Sequence, residues 1–446
     1  MKFTPKKLLL PVLALTLTFS CKKDEFSNSS SHSVAEWIKV FSGLNAANSS
    51  LPQVPIVSTD DGGMYVTYFN NQNEVYIIKV NSNGILEWKK DIQQVAYNLY
   101  AARLKDGSLV VVGDKGDGSC FSYKISSDEE YKGSSEFSVS NPFPTSNVFV
   151  LPKAINENDD GTLMVLGSIF TNNMRDTVID TIKDDTTYYS EVIFVSKLGA
   201  DLSHIYSSYL EFPVPAAQGE GIRLQPAGII QVPGNRYLIN GNAFNTSKFS
   251  DTILYSIFTC LADEQGNLID SKPILTGVDV RSLNHLADGG YRATMGPLFL
   301  KANDSYITWV SPVCYDNQLN SWLGDNRQRI MLFNADGEST ETIFYDIPPP
   351  PNVPFGMRKQ GGGFLLLSAL PNTPTTVPTK QISQSINVTD DGQVLQQRAP
   401  EGFLNFTFTS CCQLADGHYA IAGLVQQSGE AQWQLCIIKT DKDGNY

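Results

Sequence analysis

Histidine is scarce in this chain of 446 residues: only His32, His204, His285 and His418 are present. His32 falls in a Ser-rich stretch and His418 takes the place of a strand-opening residue, which excludes a His-based triad and a His-rich metal cage. The phrase Gly-x-Ser-x-Gly, needed for a nucleophile elbow, is absent. So is the Ser-x-Asp-x-Gly-x-Thr-Trp phrase of sialidase propellers. Positive charge is also short, with 33 Lys and Arg against 46 Asp and Glu and a formal net charge of −13. A polyanion needs a basic stripe, and none is visible, so nucleic acid is excluded as a partner. Helical periodicity is nowhere sustained. Seven cysteines are present, but their spacing does not resemble a disulfide framework. Cys260 and Cys436 sit where other strands carry Ile or Tyr and read as buried free thiols. Adjacent Cys411 and Cys412 point to opposite sides of one strand, so they do not bond each other.

What is present is a repeat. The fullest copy, "DDGGMYVTYFNNQNEVYIIKVNSNGILEWKKDI", begins at Asp60. Shorter echoes follow as "KDGSLVVVGD" from Lys105, "DDGTLMVLGS" from Asp159, "PGNRYLINGN" from Pro233, "DGGYRATMG" from Asp288, "GGGFLLLSA" from Gly361 and "DGHYAIAGL" from Asp416. Runs such as "MYVTYF" and "VYIIKV" are short, rich in Tyr, Val and Ile, and bounded by Gly, Asn and Asp, which is the strand signature. In "NSNG", "DEQG", "NADG" and "DKDG" an Asp or Asn opens a tight turn and Gly84, Gly266, Gly337 or Gly444 supplies positive φ. The average of about 59 residues per unit suits a four-stranded blade with variable loops. Such a sheet exposes apolar residues on both faces, and radial packing of seven buries them. The expected fold is a seven-bladed β-propeller of four-stranded antiparallel blades.

The last repeat reaches only its third strand before "DKDGNY". "AEWIKVFSG" from Ala35 matches "LEWKKDI" from Leu86, with Trp37 in the slot of Trp88. This predicts a ring closed by the N-terminal strand, Ala35 to Ser42, as the fourth strand of blade seven, which removes an open sheet edge. Trp37, Trp88 and Trp433 read as packing residues, and the outer strands of blades two, four and five carry no Trp.

The turns before the second and fourth strands hardly vary, while the second-to-third and inter-blade connections swell. Blade three holds "NNMRDTVIDTIKDDTTYYS" from Asn172, and blade five is read as holding "PLFLKANDSYITWVSPVCYDNQLNSWLGDN" from Pro297. Strand alternation puts all this length on one side of the disc, where recognition is expected. Within the blade-five insertion Trp309, Trp322, Tyr306 and Tyr315 form the candidate binding set, as aromatic faces for a sugar or a protein. "DKDG" near Asp441 and "NENDDG" from Asn156 cluster acids, but both lack a downstream acidic ligand and read as turn chemistry rather than calcium loops. No catalytic residue, metal ligand or cofactor site is identified.

The opening "MKFTPKKLLLPVLALTLTFSC" has Lys2, Lys6 and Lys7 before a short apolar run, which is a signal-peptide pattern rather than a membrane span. The Cys21 that follows resembles the acylated cysteine of the bacterial lipobox, and "CKKDEF" resembles the surface-export tag of Bacteroidota lipoproteins. The expected organisation is a signal peptide over 1–20, a flexible tether over 21–33 with Cys21 lipidated, and the propeller over 34–446. Together with the repeat phrase, these features resemble the uncharacterised β-propeller lipoproteins of Bacteroidota over nearly the whole mature chain. "NSNGILEW" also looks like the repeats of quinone-cofactor dehydrogenases, a similarity of scaffold only. The resemblance implies a non-enzymatic module, lipid-anchored in the outer membrane and facing outward, that binds a protein partner such as an outer-membrane transport or assembly complex. The alternatives are a polysaccharide-binding protein using the blade-five aromatics and a hydrolase with acids drawn from separate blades.

Overall fold

The computed structural model describes residues 37–46, 54–70, 72–139, 148–171, 178–182, 185–210, 221–245, 256–275, 291–302, 304–316, 321–322, 328–345, 352–369, 384–398, 405–426 and 433–446. The expected signal peptide, the tether and Cys21 lie outside these residues. Seven antiparallel blades follow one another, and strands account for all the regular structure among the described residues. Blade one runs outward through Ile56–Ser58, Met64–Phe69, Glu74–Val80 and Leu86–Val95. Blade two repeats this with Asn98–Arg103, Leu109–Asp114, Ser119–Ile125 and Tyr131–Ser138. In blade seven, Asn405–Gln413, Tyr419–Gln426 and Trp433–Thr440 are completed by Trp37–Ala46, which pairs Trp37 with Lys439 and Phe41 with Leu435. The N-terminal strand therefore closes the ring, as the sequence predicts.

Each apolar strand face finds its partner on the adjacent blade. Tyr65, Val75 and Ile77 pack with Leu109, Val111 and Phe121 of blade two. The opposite face of the same sheet, with Met64, Val66, Ile78 and Val80, packs with Ala420, Ala422, Leu435 and Ile437 of blade seven. This two-sided burial is why the second and third strands read as nearly continuous apolar runs rather than alternating ones.

In all seven blades the turn that follows the third strand has one hydrogen-bond pattern, from Asn81 N–H to Ile85 O in blade one to Asp441 N–H to Asn445 O in blade seven. The fourth residue of each turn has positive φ. Five blades use Gly there, while blade two uses Glu129 and blade three Leu202, both at 69°. The opening Asp or Asn holds the turn: Asp441 Oδ1 accepts from Asp443 N–H at 2.9 Å and from Asn445 N–H at 2.7 Å. The carboxylate is thereby engaged by its own backbone, as turn chemistry requires.

A second device recurs in blades one, two, three and seven. A Lys near the end of the third strand reaches the Asp of the first turn: Lys79 to Asp61 at 2.7 Å, Lys124 to Asp106 at 3.4 Å, Lys197 to Asp160 at 3.9 Å and Lys439 to Asp416 at 2.8 Å.

Blade five departs from the sequence reading. Tyr291–Met295 is the innermost strand, not the second, and is continued by Phe299–Ala302. The second strand is Ser305–Asp316, followed by Gln328–Phe333 and Ser339–Tyr345. The turn between the first two strands lies at Asp304, which takes φ 57° without glycine. Asp tolerates that region through its short polar side chain, so the Gly-based repeat anchor was set one strand too early.

Candidate functional site

The excursions that form strands leave from second-to-third connections. In blade three, Val178–Ile182 pairs with the start of Asp185–Leu198, from Val178 opposite Tyr189 to Ile182 opposite Asp185. The same segment pairs in parallel with the innermost strand of blade four, Gly221–Val232, through Tyr188 opposite Gly221 and Tyr189 opposite Ile222. The hairpin thus leans inward over the innermost strand at the end where that strand begins. In blade five, the long second strand turns back so that Tyr315 pairs with Trp322. Because both excursions occupy the same connection of their blades, strand alternation places them on one face.

Beneath the blade-three hairpin lies a charged group the sequence reading did not single out. Glu191 is fully buried. Its Oε1 accepts from Ser168 Oγ at 2.7 Å and its Oε2 from the Gln225 amide of blade four at 3.1 Å. Burial pushes the Lys153 ammonium down, and the nearby Glu191 charge only partly offsets this. Ser168, Glu191 and Lys153 belong to three different strands of blade three, so Glu191 ties them to blade four. A glutamate opening the apolar run "EVIFVSKL" was the available signal.

Asp114, at the end of the second strand of blade two, is equally buried. Its Oδ1 accepts from Gly116 N–H at 2.8 Å, while Oδ2 has no hydrogen bond among the described residues. Burial raises its pKa to about 6, against the opposing pull of Gly116 N–H, the Asn98 amide and Val150 N–H of blade three. Both acids are covered by protein, which leaves no oxygen open to a substrate. Among the described residues no group of three or more His, Cys, Asp or Glu is arranged to hold a metal ion. Cys120, Cys260, Cys411, Cys412 and Cys436 are free. Burial pushes these thiols up, Cys412 to about 12, so none is a nucleophilic thiolate at neutral pH.

The four candidate aromatics do not form one surface. Trp309 and Tyr306 lie in the second strand of blade five and are buried, at 0% and 2% exposed. Trp309 meets Phe364 of blade six edge-on at 5.8 Å between ring centroids and lies near Phe299 at 6.1 Å. Neither residue presents a face to solvent, which corrects the expectation that they anchor a ligand. The shift of the blade-five frame is the cause, since a second strand is covered by both neighbouring blades. Tyr315 and Trp322 remain on the excursion as cross-strand partners.

No protein-family model matches the chain, and no curated protein matches it in sequence. Among solved structures it is similar to a protein of unknown function from Dyadobacter fermentans DSM 18053, at 10% identity and TM-score 0.47, over 90% of this chain and 99% of that one. It is also similar to an α-L-arabinofuranosidase from Fusarium graminearum, at 12% identity and TM-score 0.42, over 90% and 98%. The NanB sialidase from Streptococcus pneumoniae aligns at 8% identity and TM-score 0.47, over 92% and 93%. These likenesses concern the fold alone.

Proposed function

We propose that this chain is a non-catalytic interaction module, anchored in the outer membrane through Cys21, that binds a protein partner through its excursion face. The observation that carries this reading is the asymmetry of the disc. One side is made of turns of one hydrogen-bond pattern, and where Asn81, Asp263, Asn334 or Asp441 opens the turn its side chain is consumed by its own backbone. The other side carries the blade-three and blade-five hairpins, whose sequences the sheet does not dictate. Rigid scaffolds with variable loops place recognition in those loops. The burial of Asp114 and Glu191 fits a structural role rather than acid–base chemistry.

The test is purification of the full chain from detergent-solubilised native membranes, beside a variant in which the hairpin over residues 178–187 is replaced by a short Gly-Ser turn. A stoichiometric outer-membrane protein that leaves with the hairpin, at unchanged melting temperature, supports the proposal. No stoichiometric partner, or one retained after trimming, overturns it. Cys21→Ser is expected to release the chain from the membrane fraction.

A further inference from the structure

In the four blades that carry the Lys–Asp pair, the outer-strand residue directly opposite the Lys is Trp88 for Lys79, Gly133 for Lys124, Tyr206 for Lys197 and Trp37 for Lys439. The three aromatic rings do the same thing. Each crosses to the next blade and donates a hydrogen bond to its turn between third and fourth strands. Trp37 Nε1 donates to Ser82 O at 3.0 Å, Trp88 Nε1 to Glu129 Oε2 at 2.7 Å and Tyr206 OH to Glu264 O at 2.5 Å. Blade two has only a hydrogen atom in this position.

The missing ring leaves a space. A cavity of about 260 Å³ opens between blades two and three, lined by Asp106, Lys124, Ser126, Lys132, Ala200 and Leu202 among others. Ser82 and Glu264, whose carbonyls accept in the other blades, are the second residues of their turns, and the corresponding residue of blade three is Ala200. The floor differs from blade one in charge. Lys79 meets Asp61, Glu87 and Glu129, whereas Lys124 pairs with Asp106 and has Lys132 at the place of Glu87. Lys124 pairs with Asp106 and Lys132 with Glu130 at 2.8 Å, so the slot is walled by two ion pairs whose lysine ends meet the electron-rich face of an aromatic ring better than an aliphatic one.

We infer that this cavity is a binding site for a planar aromatic ring bearing one N–H or O–H donor, of the indole or phenol class. The ring takes the place that Trp88 fills one blade earlier and donates to the turn at Ala200. The site lies on the short-turn side of the disc, away from the excursions, so it stands independently of the proposed partner surface.

Indole is the probe, titrated calorimetrically into the folded full chain. One saturable site is expected, with 1-methylindole, which lacks the donor, roughly tenfold weaker and cyclohexanol weaker still. Gly133→Trp is expected to abolish uptake. Gly133 has φ 155°, which strains any side chain, so a second variant is needed. Trp88→Gly empties the equivalent slot between blades one and two and is expected to raise the stoichiometry from one to two, with indole restoring the melting temperature lost. N-acetyl-tryptophan amide distinguishes the sources: uptake of both probes admits a ring carried on a side chain, and uptake of indole alone restricts the site to free small molecules. Absence of saturable uptake by the wild-type chain, or uptake indifferent to both N-methylation and Gly133→Trp, would overturn the inference.

Discussion

The indole of Trp37 donates to the carbonyl of Ser82 at 3.0 Å, and the same ring lies flat against Gly84, where a Cβ would come within 2.8 Å of it. One residue of the closing strand thus fastens blade seven to blade one through a contact that only glycine permits. Ring closure rests on this ring packing as well as on the ladder between Trp37–Ala46 and Trp433–Thr440.

Trp37→Ala is therefore expected to destabilise the whole propeller by about 2–4 kcal/mol, from lost packing of a half-buried ring and one lost hydrogen bond. Denaturant unfolding followed by circular dichroism measures it. Removal of residues 1–46 is expected to go further, exposing the edge of the last blade and producing concentration-dependent association in sedimentation. A truncated chain that stays monomeric with an unchanged midpoint would show that the N-terminal strand is dispensable.

Trp309→Ala tests the reassignment of blade five. A fully buried Trp at an inter-blade contact is expected to cost about 3–5 kcal/mol on truncation. Gly296→Ala should also destabilise, because a Cβ there would lie 2.3 Å from the Trp309 ring. If Trp309→Ala leaves stability untouched and instead removes binding to a polysaccharide, the ring is a ligand anchor after all.

The fold was largely legible because its punctuation is local. Asp or Asn with Gly marks the turns, and Trp37 and Trp88 occupy matching slots whose equivalence shows in the sequence. Blade five is less legible because Asp304 does a job the repeat elsewhere gives to Gly. Glu191 and Asp114 escaped notice for a different reason. Their meaning lies in contacts with the next blade, to Gln225 and Val150, and no spacing rule joins strands of separate sheets. The Lys–Asp pairs could have been found, since "IIKV", "YKI", "VSKL" and "IIKT" each carry Lys where the sheet brings it back beside the first turn.

Two of those pairs are expected to shape the acid limb of stability. Burial alone would raise the Asp61 and Asp416 carboxyls, but hydrogen bonds from Lys79 and Thr59 to the first, and from Lys439 and His418 to the second, outweigh it and hold both at about 2. Each acid contributes fully above the unfolded value of about 3.9 and loses its contribution as pH falls through about 2. Lys79→Met and Lys439→Met are expected to let both acids protonate earlier, moving the acid-unfolding midpoint to higher pH. Acid titration by intrinsic fluorescence reads the shift, and an unmoved midpoint would mean the pairs are too exposed to matter.

Asp114 should behave in the opposite sense. Its native pKa, raised to about 6 by burial, lies above the unfolded value, so the native state holds the proton more tightly. The stability linked to that proton is fully present below about pH 4 and is lost as pH rises through 6. The gap corresponds to about 3 kcal/mol. Asp114→Asn keeps one carbonyl oxygen for Gly116 N–H and never carries the charge. It is expected to match the wild type near pH 4 and to exceed it by about 1–3 kcal/mol at pH 7.5, in urea unfolding at the two pH values. A variant less stable at pH 7.5 would mean that the anion is held by the Val150 and Asn98 donors of the blade-three border, and that charge rather than burial governs this site.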